Sequence, residues 1–146
     1  MPEKQTLERA AKAKREGKAA STQAGEFVRE EVEHIREGKH GARSARQVIA
    51  IGLSKARRAG VKLPPPNNAS EDTREQAARE TRKAKSGGKR KTSAKRSRAS
   101  LRKLKREGSS AASKTALSRH ARSASSERPA ASRSRSAKKA AATRKK

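Results

Sequence analysis

His34, His40 and His120 are the only side chains in this sequence that ordinarily titrate near neutral pH, and there is no cysteine to accompany them. His34 and His40 straddle a glycine-bearing turn. No thiolate and no evident carboxylate partner stands beside them, so the expected set of metal ligands is empty. They read instead as surface residues, with His40 in reach of a phosphate. Serine is abundant, yet no Ser/His/acid constellation offers an activated nucleophile. Gly87-Gly88-Lys89 resembles a phosphate loop only in part. A Walker A loop needs a further glycine where this chain has Lys83, and a Ser or Thr where it has Arg90. The sequence therefore predicts no catalytic residue, no cofactor site and no small-molecule substrate: the chain reads as non-enzymatic.

What remains is charge. The chain carries a formal net charge of +27, and the excess is uneven. Residues 1–63 hold 15 Lys/Arg against 8 Asp/Glu, whereas residues 64–146 hold 26 against 6. From Thr81 onward only Glu107 and Glu127 oppose the cations. Such a segment repels itself and stays extended until a polyanion neutralises it. The candidate nucleic-acid contacts fall in three groups. Lys89, Arg90, Lys91, Lys95, Arg96 and Arg98 come first, then Arg102, Lys103, Lys105 and Arg106. The last group is Arg133, Arg135, Lys138, Lys139, Arg144, Lys145 and Lys146. Flexible Ala/Ser spacing between them suits a phosphate track better than base readout.

The target narrows further on aromatic content. Single-strand platforms and common RNA modules stack bases on aromatic rings, and Phe27 is the only aromatic ring of that kind here. Duplex DNA is the favoured ligand, bound without sequence preference in the manner of a nucleoid-associated protein. Structured RNA presents the same phosphates, so a ribosome-associated basic protein is one alternative. A protein-interaction module with a solubilising tail is the other. A membrane surface is disfavoured, because Leu101, Leu104 and Leu117 are too few to anchor an amphipathic helix. No apolar run is long enough to span a bilayer and no signal-peptide core opens the chain. The cytoplasm, at the nucleoid, is the expected location.

The elements able to position anything lie between Thr22 and Gly60. Of fifteen large apolar residues in the chain, eight fall between Phe27 and Leu53. Ala24, Phe27, Val28, Val32 and Ile35 make one stripe at helical spacing, with Glu26, Glu30, Glu33 and Glu37 running on another face. Glu31 is the misfit, since it falls within the apolar stripe. The acidic row reads as a solvated face, with Arg29 in reach of Glu26 and Glu33, and Arg36 in reach of Glu33. Gly38 stops this helix. Ser44 is the next cap, and a second helix runs to Ala59 with Gly60 beyond it. The fold class predicted is mainly α: a small αα-hairpin of helices at about 22–37 and 44–59. Its pairing core is Phe27, Val28, Val32, Ile35, Val48, Ile49, Gly52, Leu53 and Ala56.

At these residues the chain resembles a known family. The run from Ala45 to Gly60, ARQVIAIGLSKARRAG, together with Glu26-Phe27-Val28-Arg29-Glu30-Glu31, is similar to a family of short, basic, uncharacterised bacterial proteins. The resemblance covers about residues 22–63. It implies a bacterial cytoplasmic source and brings no activity and no functional residue with it. By composition the tail resembles bacterial linker-histone-like nucleoid proteins.

The remaining organisation follows from breakers and composition. Residues 1–21 form a polar arm with a marginal helix around Leu7. Pro64-Pro65-Pro66-Asn67-Asn68 opens a linker, 64–70, held extended by its prolines. Residues 71–146 are an Ala/Ser/Lys/Arg-rich tail, disordered or in solvated helices when free. The stretch from Ser70 to Lys85 is compatible with a helix but has no large apolar residue, hence no core to join. A hairpin of forty residues is too small to stand alone. The small centre of the second stripe, Ala45, Gly52 and Ala56, predicts a homodimer through helix 44–59.

Overall fold

The computed structural model describes residues 2–66, 69–86 and 93–144, and the chain is mainly helical throughout them. In order come α1 (Lys4–Arg15), α2 (Ala20–Arg36), α3 (Ala45–Arg58), α4 (Glu71–Lys85), α5 (Ala94–Arg106), α6 (Lys114–Ser126) and α7 (Ala130–Arg144). A single 3-10 turn, Ser110–Ala112, precedes α6, and there is no strand among the described residues.

The boundaries of α2 and α3 follow from local chemistry. At the end of α2 the Gly38 amide donates to Ile35 and the Lys39 amide to His34, the double closure of a Schellman motif, with Gly38 at φ 74°. At the start of α3 the Ser44 hydroxyl accepts from the Gln47 amide at 3.2 Å, and the Gln47 side chain accepts from the Arg43 amide at 3.0 Å. That reciprocal pair is a capping box displaced by one residue. The first helix of the hairpin begins at Ala20, two residues before the expected start, with no side-chain cap.

Helices α2 and α3 touch at a point fixed by the absence of a side chain. A Cβ on Gly52 would lie 2.6 Å from Val28 Cα and 2.9 Å from its backbone nitrogen. Ala45 and Ala56 on the same stripe are also buried. The small centre of α3 therefore receives α2 of the same chain. The expectation that a second copy would fill it rested on that stripe being free, and it is not.

Two apolar clusters form on either side of this crossing. In one, Phe27 and Ala24 of α2 meet Ala56 of α3 and Ala10 of α1, with Leu53, Val61 and Leu63 packed around them. In the other, Val32, Ile35, Ala42 and Val48 are closed over by Ala111 and Ala112, with Leu117 alongside. Val28 and Ile49 are half-buried at the edges.

Three expectations for the flanks are corrected. Helix α1, read as a marginal helix around Leu7, packs on α2 through Thr6, Ala10 and Ala13, while Leu7 itself is 43% exposed. Helix α4 does have a partner: Ala77 and Glu80 are buried against α3. The tail is not wholly apart from the hairpin either, because its 3-10 turn completes the second apolar cluster. Around that turn the Gly41 amide donates to the carbonyl of Leu104 at 2.9 Å and the Ala42 amide to that of Gly108 at 3.1 Å. A side chain at position 41 would run into the Glu107 carbonyl. Helices α5, α6 and α7 fully bury no residue of their own, although Leu117 of α6 packs on the second cluster.

Two glycine substitutions test the crossing. Gly52→Ala drives a methyl into the α2 backbone and should cost about 1–3 kcal/mol of stability. Gly25→Ala, in the middle of α2 with nothing within 4 Å of the new Cβ, should gain about 0.5–1 kcal/mol. Urea denaturation followed by circular dichroism measures both.

Candidate functional site

Glu30 and Glu31 are adjacent in sequence, and each is only 1% exposed. Burying two neighbouring carboxylates is unfavourable unless each is paired and hydrogen-bonded. The helix crossing supplies the partner. Lys55 stands one turn after Gly52, and its Nζ lies 3.1 Å from Glu30 Oε1 and 2.6 Å from Glu31 Oε2. The Glu3 amide donates to Glu30 Oε2 at 3.0 Å. Burial alone would push the Glu30 carboxyl up. Hydrogen bonds from the Glu3 amide, Thr6 and Lys55 outweigh it and hold the group below its ordinary value of 4.5. Burial likewise works against the charge on Lys55, yet Glu31 and Glu30 together raise it above the ordinary lysine value.

The other oxygen of Glu31 faces the turn after α2. His40 Nε2 lies 2.9 Å from Glu31 Oε1, and His40 Nδ1 is 3.2 Å from the Gly41 carbonyl. His34, one turn beyond Glu31 on α2, has its Nε2 2.8 Å from Glu3 Oε1. Glu3 also receives Lys39 at 3.1 Å, and Lys39 reaches Glu37 at 3.0 Å. The contacts of His34 and Lys39 hold the Glu3 carboxyl below its ordinary range. Hydrogen bonds to Glu37 and Glu3 raise Lys39. The two imidazoles meet edge to face, with ring centroids 6.3 Å apart. One ligand atom each from Glu31, His34 and His40 lies within 4.8 Å of the others.

This cluster corrects the reading of the histidines as surface residues without a carboxylate partner. Their side chains are 13% and 11% exposed, and each has its own glutamate. The acidic row is also more than a solvated face. Glu30 is buried, Glu26 pairs with Arg9 of α1 at 2.9 Å, and Glu33 pairs with Arg29 at 2.9 Å. Arg36 turns away from Glu33 and donates to the Ala112 carbonyl at 3.0 Å. The sequence signal for the cluster was Glu31, a charge seated in an apolar stripe.

A second buried carboxylate ties α4 to α3. The Ser54 hydroxyl donates to Glu80 Oε1, Gln76 Nε2 donates to the same oxygen at 2.9 Å, and Arg57 and Arg58 approach within 3.5 and 3.6 Å. Most acids of the first four helices are thus held by cations of the same region.

The basic helices are arranged otherwise. Among the described residues, no Lys or Arg of α5, α6 or α7 forms an ion pair; the acid Glu107 is approached by Arg43 at 3.7 Å. On α5, Lys95, Arg98, Arg102, Lys105 and Arg106 share one face at helical spacing, and all are exposed. Arg96 and Lys103 lie to one side of that face and the partly exposed Leu101 and Leu104 to the other. On α7, Arg133 and Arg144 share one side while Arg135, Lys138 and Lys139 share the opposite one. Lys89, Arg90, Lys91, Lys145 and Lys146 lie outside the described residues.

Residues 4–67 match a family described as a family of unknown function, DUF6496. The match takes in α1, α2, α3 and nearly all of the carboxylate–histidine cluster, and none of α4 to α7. Among proteins of curated function none matches the chain, and no solved structure does.

Lys55 is the test of the site's internal balance. Lys55→Met keeps the aliphatic stem but leaves Glu30 and Glu31 buried without a cation. The expected loss is about 3–5 kcal/mol, the cost of breaking a buried pair from one side. Lys62→Met, at an exposed position, should change stability by less than about 0.5 kcal/mol in the same denaturation experiment.

Proposed function

We infer that this chain is a non-enzymatic, sequence-nonspecific binder of duplex DNA, of nucleoid-associated or linker-histone-like type. The observation that carries this reading is the division of charge. Acids and bases pair within α1 to α4, whereas the cations of α5 to α7 stay unopposed and exposed. Cations that neutralise phosphates release condensed counterions, and that release drives association at modest salt.

Helix α5 has a shape suited to this task. Its five co-facial cations run from Lys95 to Arg106, about 16 Å at about 1.5 Å per residue. Laid along the duplex axis, that length corresponds to about five base-pair rises at about 3.4 Å each. No aromatic ring stands among them, so nothing on this face stacks an unpaired base. Helix α7 presents cations on two sides and suits a second duplex or a wrapped one. The hairpin in this reading is a folded platform that holds the basic region at the junction of α5 and α6, through Gly41, Ala42 and the Ser110–Ala112 turn.

Fluorescence anisotropy of the full chain on unrelated duplexes of equal length tests the reading. Affinity should be equal across sequences and should fall about 10³–10⁵-fold between about 50 and 200 mM salt, if about six to ten phosphates are contacted. Replacing Lys95, Arg98, Arg102 and Lys105 together by Gln should reduce the salt slope by about 3–4, at about 0.9 per phosphate lost. A flat salt response, or tighter binding to single strands, would overturn it.

A further inference from the structure

The cluster at the end of α2 gathers carboxylates and two imidazoles within a few ångströms of one another. Four carboxylates, Glu3, Glu30, Glu31 and Glu37, gather around two ammonium groups, Lys39 and Lys55. Two imidazoles, His34 and His40, stand among them. A carbonyl oxygen only accepts, so His40 Nδ1 must carry the proton it directs at Gly41. His40 Nε2 lies 2.9 Å from Glu31 Oε1, so the imidazole and the buried carboxylate face each other across the site. A metal cation between them would take one ligand from each.

The geometry points to a binding site for a single borderline divalent transition-metal ion, of the Zn²⁺ class, formed by Glu31, His34 and His40. Each ligand is suited to the role. Glu31 is buried and its second oxygen is held by Lys55, which leaves Oε1 free to coordinate and fixes its direction. His34 follows Glu31 by three residues on the same helix, so both project from one face a turn apart. The hydrogen bond from His40 Nδ1 to a backbone carbonyl is the outer contact that commonly orients a metal-ligating imidazole. Two imidazoles with one carboxylate form a ligand set familiar for zinc, while magnesium and calcium prefer all-oxygen sites. Zinc ligands about 2.0–2.1 Å from the ion stand about 3.4 Å apart at tetrahedral angles. The three ligand atoms already lie within 4.8 Å of one another, so a small side-chain adjustment brings them to that spacing. The fourth position is left to solvent, as zinc sites with three protein ligands commonly leave it. An ion here would fasten the turn 37–44, and with it the Gly41–Ala42 contact to the basic region, onto α2.

Isothermal titration of the full chain, first stripped with chelator, with Zn²⁺ as the only added metal tests the assignment. The expected result is one ion per chain, with Mg²⁺ and Ca²⁺ giving no heat. Co²⁺ should give the visible absorption of a four-coordinate nitrogen and oxygen site. His40→Ala should weaken Zn²⁺ binding by at least about 100-fold, since even outer contacts to a metal site commonly account for 10–100-fold. His120→Ala, on α6, should leave it unchanged. A second measurement needs no variant: long-range nitrogen NMR of the wild-type chain should show Zn²⁺ shifting the ring nitrogens of His34 and His40 but not those of His120. Absence of Zn²⁺ binding, equal affinity in the His40→Ala chain, or equal shifts at all three histidines would overturn the proposal.

Discussion

Two adjacent glutamates on one helix, both out of contact with water, repel each other and demand a cation at close range. Lys55 is that cation, and it reaches Glu30 and Glu31 only because Gly52 lets α3 press against Val28 one turn earlier. Close helix approach and charge neutralisation are thus a single constraint. A wider crossing would withdraw the ammonium and leave two buried anions unpaired. The second oxygen of Glu31 then orients His40, and Glu30 orients the Glu3 amide, so the turn and the N-terminal segment both inherit their placement from this contact.

The same principle recurs at Glu80, which holds α4 on α3 through the Ser54 hydroxyl and the nearby guanidinium charges of Arg57 and Arg58. Both junctions replace bulky side chains by alanine and buried ions. A small chain with few large apolar residues is held together by geometry that tolerates little change. Losing one partner of a buried pair costs more than losing a surface contact.

How far the fold was legible follows from this chemistry. Helices α2 and α3 announced themselves through Phe27, Val32, Ile35 and Val48 at helical spacing and through Ser44, Gly38 and Gly60 at the ends. The docking of α1 and α4 was not legible, because Thr6, Ala10, Ala77 and Glu80 carry no apolar signature that separates a buried face from a solvated one. Ala111 and Ala112 were hidden for the same reason among many alanines. Gly52 was read correctly as a place of close approach, but sequence spacing does not say whose helix approaches. Of the cluster at the end of α2, Glu31 was visible as an anomaly. Its link to His34 and His40 depends on the path of the turn, which no periodicity specifies.

The pairing of Gly41 and Ala42 with the segment after α5 has a consequence for how the chain is made. Val32, Ile35 and Val48 gain their cover only when Ala111 and Ala112 arrive, about sixty residues later in the chain. During synthesis from the N-terminus the hairpin emerges with this end open, and the amides of the turn have no carbonyl to meet. The other apolar cluster is assembled from residues 10–63 and closes early. One cluster is thus closed by local contacts, and the other needs contacts with a segment distant in sequence. In the interval the basic region is still incomplete, so the newborn chain passes through a stage with much less positive charge than the finished one.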